Sequence, residues 1–468
     1  MQPIMSSPNV ERIGMALRTA FLANKTRPLE WRYTQLKAIK KMIAENQSDI
    51  CQALKKDLGK CESESSLSEI NLVLSECDLA ISNLEKWTKT KKVYTPVRLQ
   101  PSSSQIIKEP LGVVLIMSPW NYPVNLAVIP LIGAVAAGNC AFIKLSPHSL
   151  NVSTLLHGLV EKYLDRECIA IDFGDVAVAQ ALLQMQWDHI FFTGGVEIGR
   201  IVYQAAAKHL TPVTLELGGK NPCIIDKECN LKLAAKKIVW SKSYNSGQSC
   251  VAPDYLFIHK SQLDEFLELV KHFIHEFFGD DVQKSPFYSR LINKFHAERV
   301  SKLMAHGKVV IGGQVDIEDR FVSPTFMVDP DLNSPLMQEE VFGPLLPILT
   351  YENMSEVVQF VRSKPHALTL MLYSSSKTTQ DYVFNNTQSG AALANEALLH
   401  FTSPYLPFGG VGHSGIGAYH GKLTFDLFTH KKACVRSSSM QILDLPVKYP
   451  PYTAFSDSVM TTALRTKW

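Results

Sequence analysis

From Pro110 to Ile143 the chain reads PLGVVLIMSPWNYPVNLAVIPLIGAVAAGNCAFI, without one charged side chain. A run of this kind either crosses a membrane or lies at the centre of a folded domain. Pro119, Pro123 and Pro130, with Asn121, Asn125 and Asn139, leave no window of about 18 residues free of proline and asparagine, which argues against a span. The parse that remains is a buried strand GVVLIMS, a polar turn PWNYP, a buried helix VNLAVIPLIGAVAAG and a second strand CAFIKLS.

The same rhythm continues. Helix LNVSTLLHGLVEKYL precedes strand IAIDFG, helix VAVAQALLQM precedes strand HIFFTG, and helix EIGRIVYQAAAKHL precedes strand TPVTLELGG. Short apolar strands alternating with amphipathic helices predict right-handed βαβ units and a mostly parallel, doubly wound sheet. Beyond Gly219 a second series begins, with helix NLKLAAKKIVWSK, strand YLFIHK, helix SQLDEFLELVKHFIHEFF, strand KVVIGG, helix MSEVVQFVRS and strand LTLMLYSS. Two α/β domains follow, with a hinge near Leu217 to Gly219. Residues 1–95 read as helices that pack on the first sheet, among them one continuous helix from RYTQLKAIKKM to QALKKDL.

Composition removes several function classes. Forty-seven basic against 44 acidic side chains leave a net charge of +3, too balanced for a nucleic-acid binder. The nine cysteines, at 51, 61, 77, 140, 168, 223, 229, 250 and 434, form no CxxC pair, which favours free thiols over a disulfide frame or a zinc site. MQPIMSSPNVERIG carries no secretory or myristoylation signal and TTALRTKW no prenylation cysteine, so a cytoplasmic protein is expected.

Ligands of open α/β sheets sit beyond the carboxyl ends of the strands, so the turns there are the first candidates. FFTGGVEIGR passes Thr193, Gly194 and Gly195 and enters a helix with Gly199 on its first turn; its backbone amides suit a pyrophosphate. The spacing matches neither G-x-G-x-x-G nor a Walker sequence, and an ordinary turn fits it equally well. In PWNYP, Asn121 offers an amide donor or is simply a turn asparagine. Cys250 stands in YNSGQSCVAPDY, among small residues that would give a substrate access; a nucleophile there needs its thiolate and an oxyanion donor, and a buried filler needs neither. Upstream, TLELGGK places Glu216 in an apolar strand, where desolvation raises a carboxyl towards the range of a general base.

The stretches PWNYP, FTGGVEIGR, LELGGKNP, NSGQSCVAPDY, QEEVFGPLLPI and LPFGGVGHSGIGAYHGKLTFDLFTHKK, in this order, resemble the aldehyde dehydrogenase superfamily. GAYHGK and KYPPYT resemble its class 3 branch, and the likeness runs from about Asn9 to Thr453. It implies an α/β, aldehyde dehydrogenase-like fold of two doubly wound domains and a small β oligomerisation arm. Residues 1–217 would hold the N-terminal helices and the NAD(P)-binding domain, with a projecting hairpin over 90–108. Residues 218–400 would form the catalytic domain, and 401–468 would return to the cofactor domain and the dimer interface.

The resemblance also implies roles. Cys250 attacks the aldehyde, Asn121 and the Cys250 N–H stabilise the oxyanion, and Glu216 activates the water that releases the thioester. Lys144 and Glu340 hold the nicotinamide ribose, Phe342 lies on the ring, and Thr193, Gly194, Gly195 and Gly199 form the pyrophosphate turn, with Trp120 and Leu217 alongside. Tyr122, Trp240, Tyr244, Phe401 and Thr402 line a tunnel for medium-sized aliphatic or aromatic aldehydes. One departure stands out: KLSPHS puts Pro147 where many relatives carry a ribose-binding glutamate, so NADP is expected to serve at least as well as NAD, with His148 or a lysine near its phosphate. A homodimer without a membrane anchor is expected, its hairpin VYTPVRL–SSQIIKE supported by the segment FDLFTHKKACVR.

Overall fold

The computed structural model describes residues 7–96, 99–440, 442, 444 and 446–465. The N-terminal layer comprises α1 (Ser7–Leu22), α2 (Leu29–Glu45), α3 (Gln47–Leu58), α4 (Glu62–Ser65) and α5 (Asn71–Thr88). The single helix read from the sequence across residues 32–58 is in fact two. It breaks at Asn46, whose amide donates to the Met42 carbonyl at 2.7 Å and competes with the helix for backbone partners. A π-type turn, Ser66–Ile70, joins α4 to α5. Leu36, Ile39, Met42 and Ile43 of α2 and Leu72, Val73, Ala80 and Leu84 of α5 are buried in the main core, which also takes in the first sheet.

That sheet has six strands in the order Gly415–Ile416, Val213–Leu217, His189–Gly194, Val113–Met117, Cys140–Lys144 and Ile169–Asp172, all parallel except the first. Helices α6 (Asn125–Ala137), α7 (Leu150–Tyr163), α8 (Val176–Gln184) and α9 (Val196–Ala207) make the crossovers. Every residue of α6 is buried, as are the strands on either side of it. This is the physical reason for the charge-free run: helix and strands are enclosed on all sides, so no polar face is needed.

The second sheet has seven strands, ordered Lys308–Ile311, Thr325–Val328, Leu345–Tyr351, Tyr255–His259, Pro222–Ile225, Ala367–Tyr373 and Ser389–Ala394, again parallel apart from the first. It is flanked by α10 (Leu231–Ser243), α11 (Leu263–Phe278) and α12 (Lys294–Leu303), among others. Four of its strands were not read from the sequence. Pro222 opens one of them, Pro347 lies inside another, Thr325–Val328 is only four residues long, and SGAALA is rich in small residues with little strand character.

A third sheet of three strands forms the arm. Lys91–Val93 pairs antiparallel with Ser103–Pro110, and Thr429–Arg436 pairs along the full length of the latter. Only the first residue of the expected strand VYTPVRL is strand; residues 94–96 are irregular, and Val97 and Arg98 lie outside the described residues. No helix among the described residues is long and apolar enough to cross a membrane, and no cluster of metal-binding side chains occurs among them. All nine thiols are free.

Candidate active site

The carboxyl ends of the first sheet's strands open onto a cleft of about 270 Å³ that the second domain closes. Trp120 and Asn121 enter from the turn after Val113–Met117, Thr193 to Gly195 from the turn before α9, and Glu216 to Gly218 from the crossing between domains. Cys250, Glu340 and Phe342 face them from loops of the second sheet, and His296 and Arg299 from α12. The strand-end loops thus bring Cys250, Glu216 and Asn121 together from positions far apart in the chain.

The loop carrying Cys250 is fastened from both sides. Before it, Asn245, Ser246 and Gly247 take φ of 51°, 50° and 71° in succession, a left-handed stretch that costs energy at the two non-glycine positions. Neighbouring groups hold it there. The Asn245 N–H donates to the Glu64 carboxylate, and the Asn245 amide donates at 3.0 Å to the carbonyls of both Asn121 and Gln248. After the turn, Gln248 donates to the Asn245 and Arg290 carbonyls and accepts from the Ile292 N–H at 2.9 Å. On the other side, Asn221 donates to the carbonyls of Cys250 and Ala252 at 2.7 and 2.9 Å and accepts from the Thr369 N–H at 2.9 Å.

Asn121 is buried, and its Nδ2 donates at 3.1 Å to the Gln248 carbonyl. A primary amide has two N–H donors, so one remains for a ligand. Burial pushes the Cys250 thiol above its ordinary value, and the nearby Glu340 and Glu216 push it further; the N–H groups of Cys250 and Val251 oppose them. Glu216 is 3% exposed, both its oxygens lack a protein partner, and desolvation alone raises its carboxyl well above the usual range. Such a group is costly in a core and suits a proton acceptor poised in a cleft.

Desolvation also raises Glu340, to about 8, with Asp254 adding to the shift and the Gly219 N–H, Lys220 and Lys242 opposing it. A Cβ on Gly218 would stand 2.0 Å from Glu340 Oε2, so only glycine admits that carboxyl. The loop holding it is anchored by Asp254, which accepts from the Val341 N–H at 2.9 Å, and by Lys220, which donates to the Glu339 carbonyl at 2.9 Å. Phe342 follows at a φ of 45° and meets Trp120 edge-on at 5.4 Å.

The residues on the first-domain side of the cleft fit a dinucleotide. Gly195 caps α9 with nothing within 4 Å of where a Cβ would project, so a helix N-terminus faces open space, and beside it the buried Thr193 hydroxyl has no protein partner. Gly199 serves packing: a Cβ there would lie 2.6 Å from Leu217 Cδ2. Lys144 ends its strand buried, its ammonium lowered by desolvation against the pull of Asp172 and Asp175, and it is not among the residues lining the cleft. Pro147 and His148, just beyond it, are exposed.

On the other side of Cys250 lies a second cavity of about 30 Å³, walled by Tyr122, Leu126, Phe401, Phe408, Tyr419 and His420 among others. Two of the five side chains expected at a substrate tunnel, Tyr122 and Phe401, are in this wall. The other three are not. Trp240 and Tyr244 pack against each other with ring centres 5.4 Å apart, Tyr244 donates to the Glu64 carbonyl, and the Thr402 hydroxyl donates back to Leu399. The volume is about one water's share of the liquid.

Sequence reasoning missed Phe408, Tyr419 and His420, although they punctuate the glycine-rich segment LPFGGVGHSGIGAYHGK; that spacing was the available signal. It also missed His296 and Arg299, which look like surface positions of a helix. His296 lies tilted against Trp120 with ring centres 5.1 Å apart and is lowered to about 4 by burial, with Arg299 and His148 adding to the effect.

A family model described as "Aldehyde dehydrogenase family" matches residues 3–434. The chain is 58% identical over 457 residues to "Aldehyde dehydrogenase family 3 comG" of Dictyostelium discoideum, covering 97% of each chain. It is 43% identical to "Aldehyde dehydrogenase, dimeric NADP-preferring" of Rattus norvegicus, over 93% of this chain and 96% of that one. Among solved structures it matches the substrate-bound state of Staphylococcus aureus AldH with a TM-score of 0.94 and 40% identity, over 97% of this chain and 99% of that one.

Proposed function

The chain belongs to the aldehyde dehydrogenase family, and from that premise we propose that it oxidises medium-sized aliphatic or aromatic aldehydes to carboxylic acids with NAD or NADP. The observation that carries this reading is the convergence of Cys250, Glu216 and Asn121 on one cleft.

In the proposed sequence Cys250 loses its proton to solvent water, and the thiolate sulfur bonds to the aldehyde carbon. The unused Asn121 N–H and the Cys250 backbone N–H donate to the oxygen that becomes negative. A nicotinamide held in the cleft would supply the hydride acceptor, leaving the acyl group on Cys250 as a thioester. Glu216 then takes a proton from water; the water oxygen bonds to the acyl carbon, the C–S bond breaks, and the carboxylic acid leaves. Desolvation raises the Glu216 carboxyl, which favours proton uptake, and its two oxygens have no hydrogen-bond partner in the protein. Glu340 and Lys144 are assigned to the nicotinamide ribose, Phe342 and Trp120 to the ring, and Thr193 with the Gly195 end of α9 to the pyrophosphate.

Pro147 leaves the segment after Cys140–Lys144 without a carboxylate at the position read as ribose-binding, which removes a charge that would repel a 2′-phosphate. NADP is therefore expected to serve at least as well as NAD, with His148 or a nearby lysine near the phosphate. A cytoplasmic homodimer belongs to the same proposal. Its support is the arm, where Thr429–Arg436 is an edge strand of eight residues, mostly exposed.

The test follows the absorbance of reduced cofactor with benzaldehyde and hexanal, NAD and NADP in parallel, and Cys250→Ala as control. Turnover that vanishes in the variant supports the thiol chemistry. Turnover that persists in it, or kcat/KM strongly favouring NAD, defeats the mechanism or the cofactor preference respectively.

A further inference from the structure

Lys60 lies just after α3 and is 1% exposed, a rare setting for an ammonium group. Its Nζ donates at 3.0 Å to the main-chain carbonyl of Asn121 and at 3.0 Å to Glu69 Oε1, and stands 4.1 Å from the centre of the Tyr122 ring. Glu69 uses its other oxygen to accept from the N–H groups of Val124 and Asn125, at 3.1 and 2.9 Å, where α6 begins. A negative group at that place also meets the favourable end of the helix dipole. The turn PWNYP is thus held at its middle residue and at its exit into α6 by one buried ion pair. Glu69 belongs to the π-type turn Ser66–Ile70, and its side chain is buried, as is that of Glu64 from the preceding turn.

We propose that Lys60 is a positioning residue for the oxyanion donor: it fixes the Asn121 main chain so that the side-chain amide meets the carbonyl attacked by Cys250. The proposal rests on Asn121 being that donor. The Lys60 side chain is fully enclosed, so it acts through Asn121 and Tyr122 and not on the substrate itself. A buried ion pair seldom adds net stability over an apolar replacement, and so is weak grounds for a purely structural role.

The test compares the full-length protein with Lys60→Met and with Lys60→Met/Glu69→Gln, which removes both charges and leaves neither alone in the core. Two rates are read. Single-turnover formation of reduced cofactor passes through the oxyanion. Alkylation of Cys250 by iodoacetamide does not: sulfur displaces iodide at a saturated carbon. The first rate is expected to fall about 10- to 100-fold and the second to stay within about twofold, with little further loss when Asn121→Ala is added to Lys60→Met. Equal losses in both rates, unchanged turnover, or failure of both variants to fold would overturn the proposal. Asn121→Ala distinguishes the two levels. If it slows turnover while the Lys60 variants do not, only the role of Lys60 falls; if it changes nothing, the reading of Asn121 falls, and that of Lys60 with it.

Discussion

The side-chain amide of Asn221 donates at 2.7 Å to the carbonyl of Cys250, so the residue just before the strand Pro222–Ile225 holds the peptide group of the residue read as the nucleophile. The same side chain reaches Ala252 and Thr369, tying the Cys250 loop to the neighbouring strand Ala367–Tyr373. Asn221→Ala orphans two carbonyls and one N–H in a buried setting. Each unmet group costs about 1–3 kcal/mol, so a lower Tm is expected in thermal unfolding. Turnover should fall more than cofactor affinity, because the displaced group is the thiol.

Gly218→Ala is expected to raise the KM for the cofactor with little change in fold. The new methyl would occupy the place of Glu340 Oε2, 2.0 Å away, and the carboxylate would swing out of the cleft. Steady-state kinetics should show a shift like that of Glu340→Gln, and the double variant should be little worse than either single one. Additive losses would separate the two residues.

Glu340 also makes stability depend on pH. Its carboxyl rises from 4.5 to about 8 in the folded chain, so folding favours the protonated form. The contribution is fully present below 4.5 and is lost as pH rises through 8. The Tm of the cofactor-free protein relative to Glu340→Gln is therefore expected to fall across that window, measured by calorimetry at fixed ionic strength. A difference independent of pH would contradict the assignment.

Phe401 closes the small cavity beside Cys250. Phe401→Ala should raise kcat/KM for bulky aromatic aldehydes relative to hexanal while lowering stability by about 3 kcal/mol or more, as for other large-to-small core changes. A uniform loss across substrates would place the tunnel elsewhere.

Much of the framework was legible in the primary structure because it rests on local rules. The break of the apolar run Pro110–Ile143 by prolines and asparagines, the alternation of strand and helix, and the glycines of FFTGGVEIGR each specify a conformation or an enclosed environment within a few residues. Where local signals were weak the reading failed. Pro347 concealed the strand Leu345–Tyr351, and Asn46 divided a helix whose apolar period continues across it.

By itself the sequence determined the two strand–helix series and marked Cys250, Glu216 and Asn121 as candidates, through residue types that are expensive or reactive in their immediate surroundings. Only the tertiary structure decided which distant groups serve them. Lys60, Glu64 and Glu69 look like the solvated charges of an ordinary helical region, yet they are buried against the turns that carry Asn121 and Asn245. Trp240 and Tyr244 have the composition of a substrate wall but pack against each other. The reason is physical: a charge or an aromatic ring acquires its role from what desolvates and pairs with it, and those partners are brought together by chain crossings that no local pattern encodes.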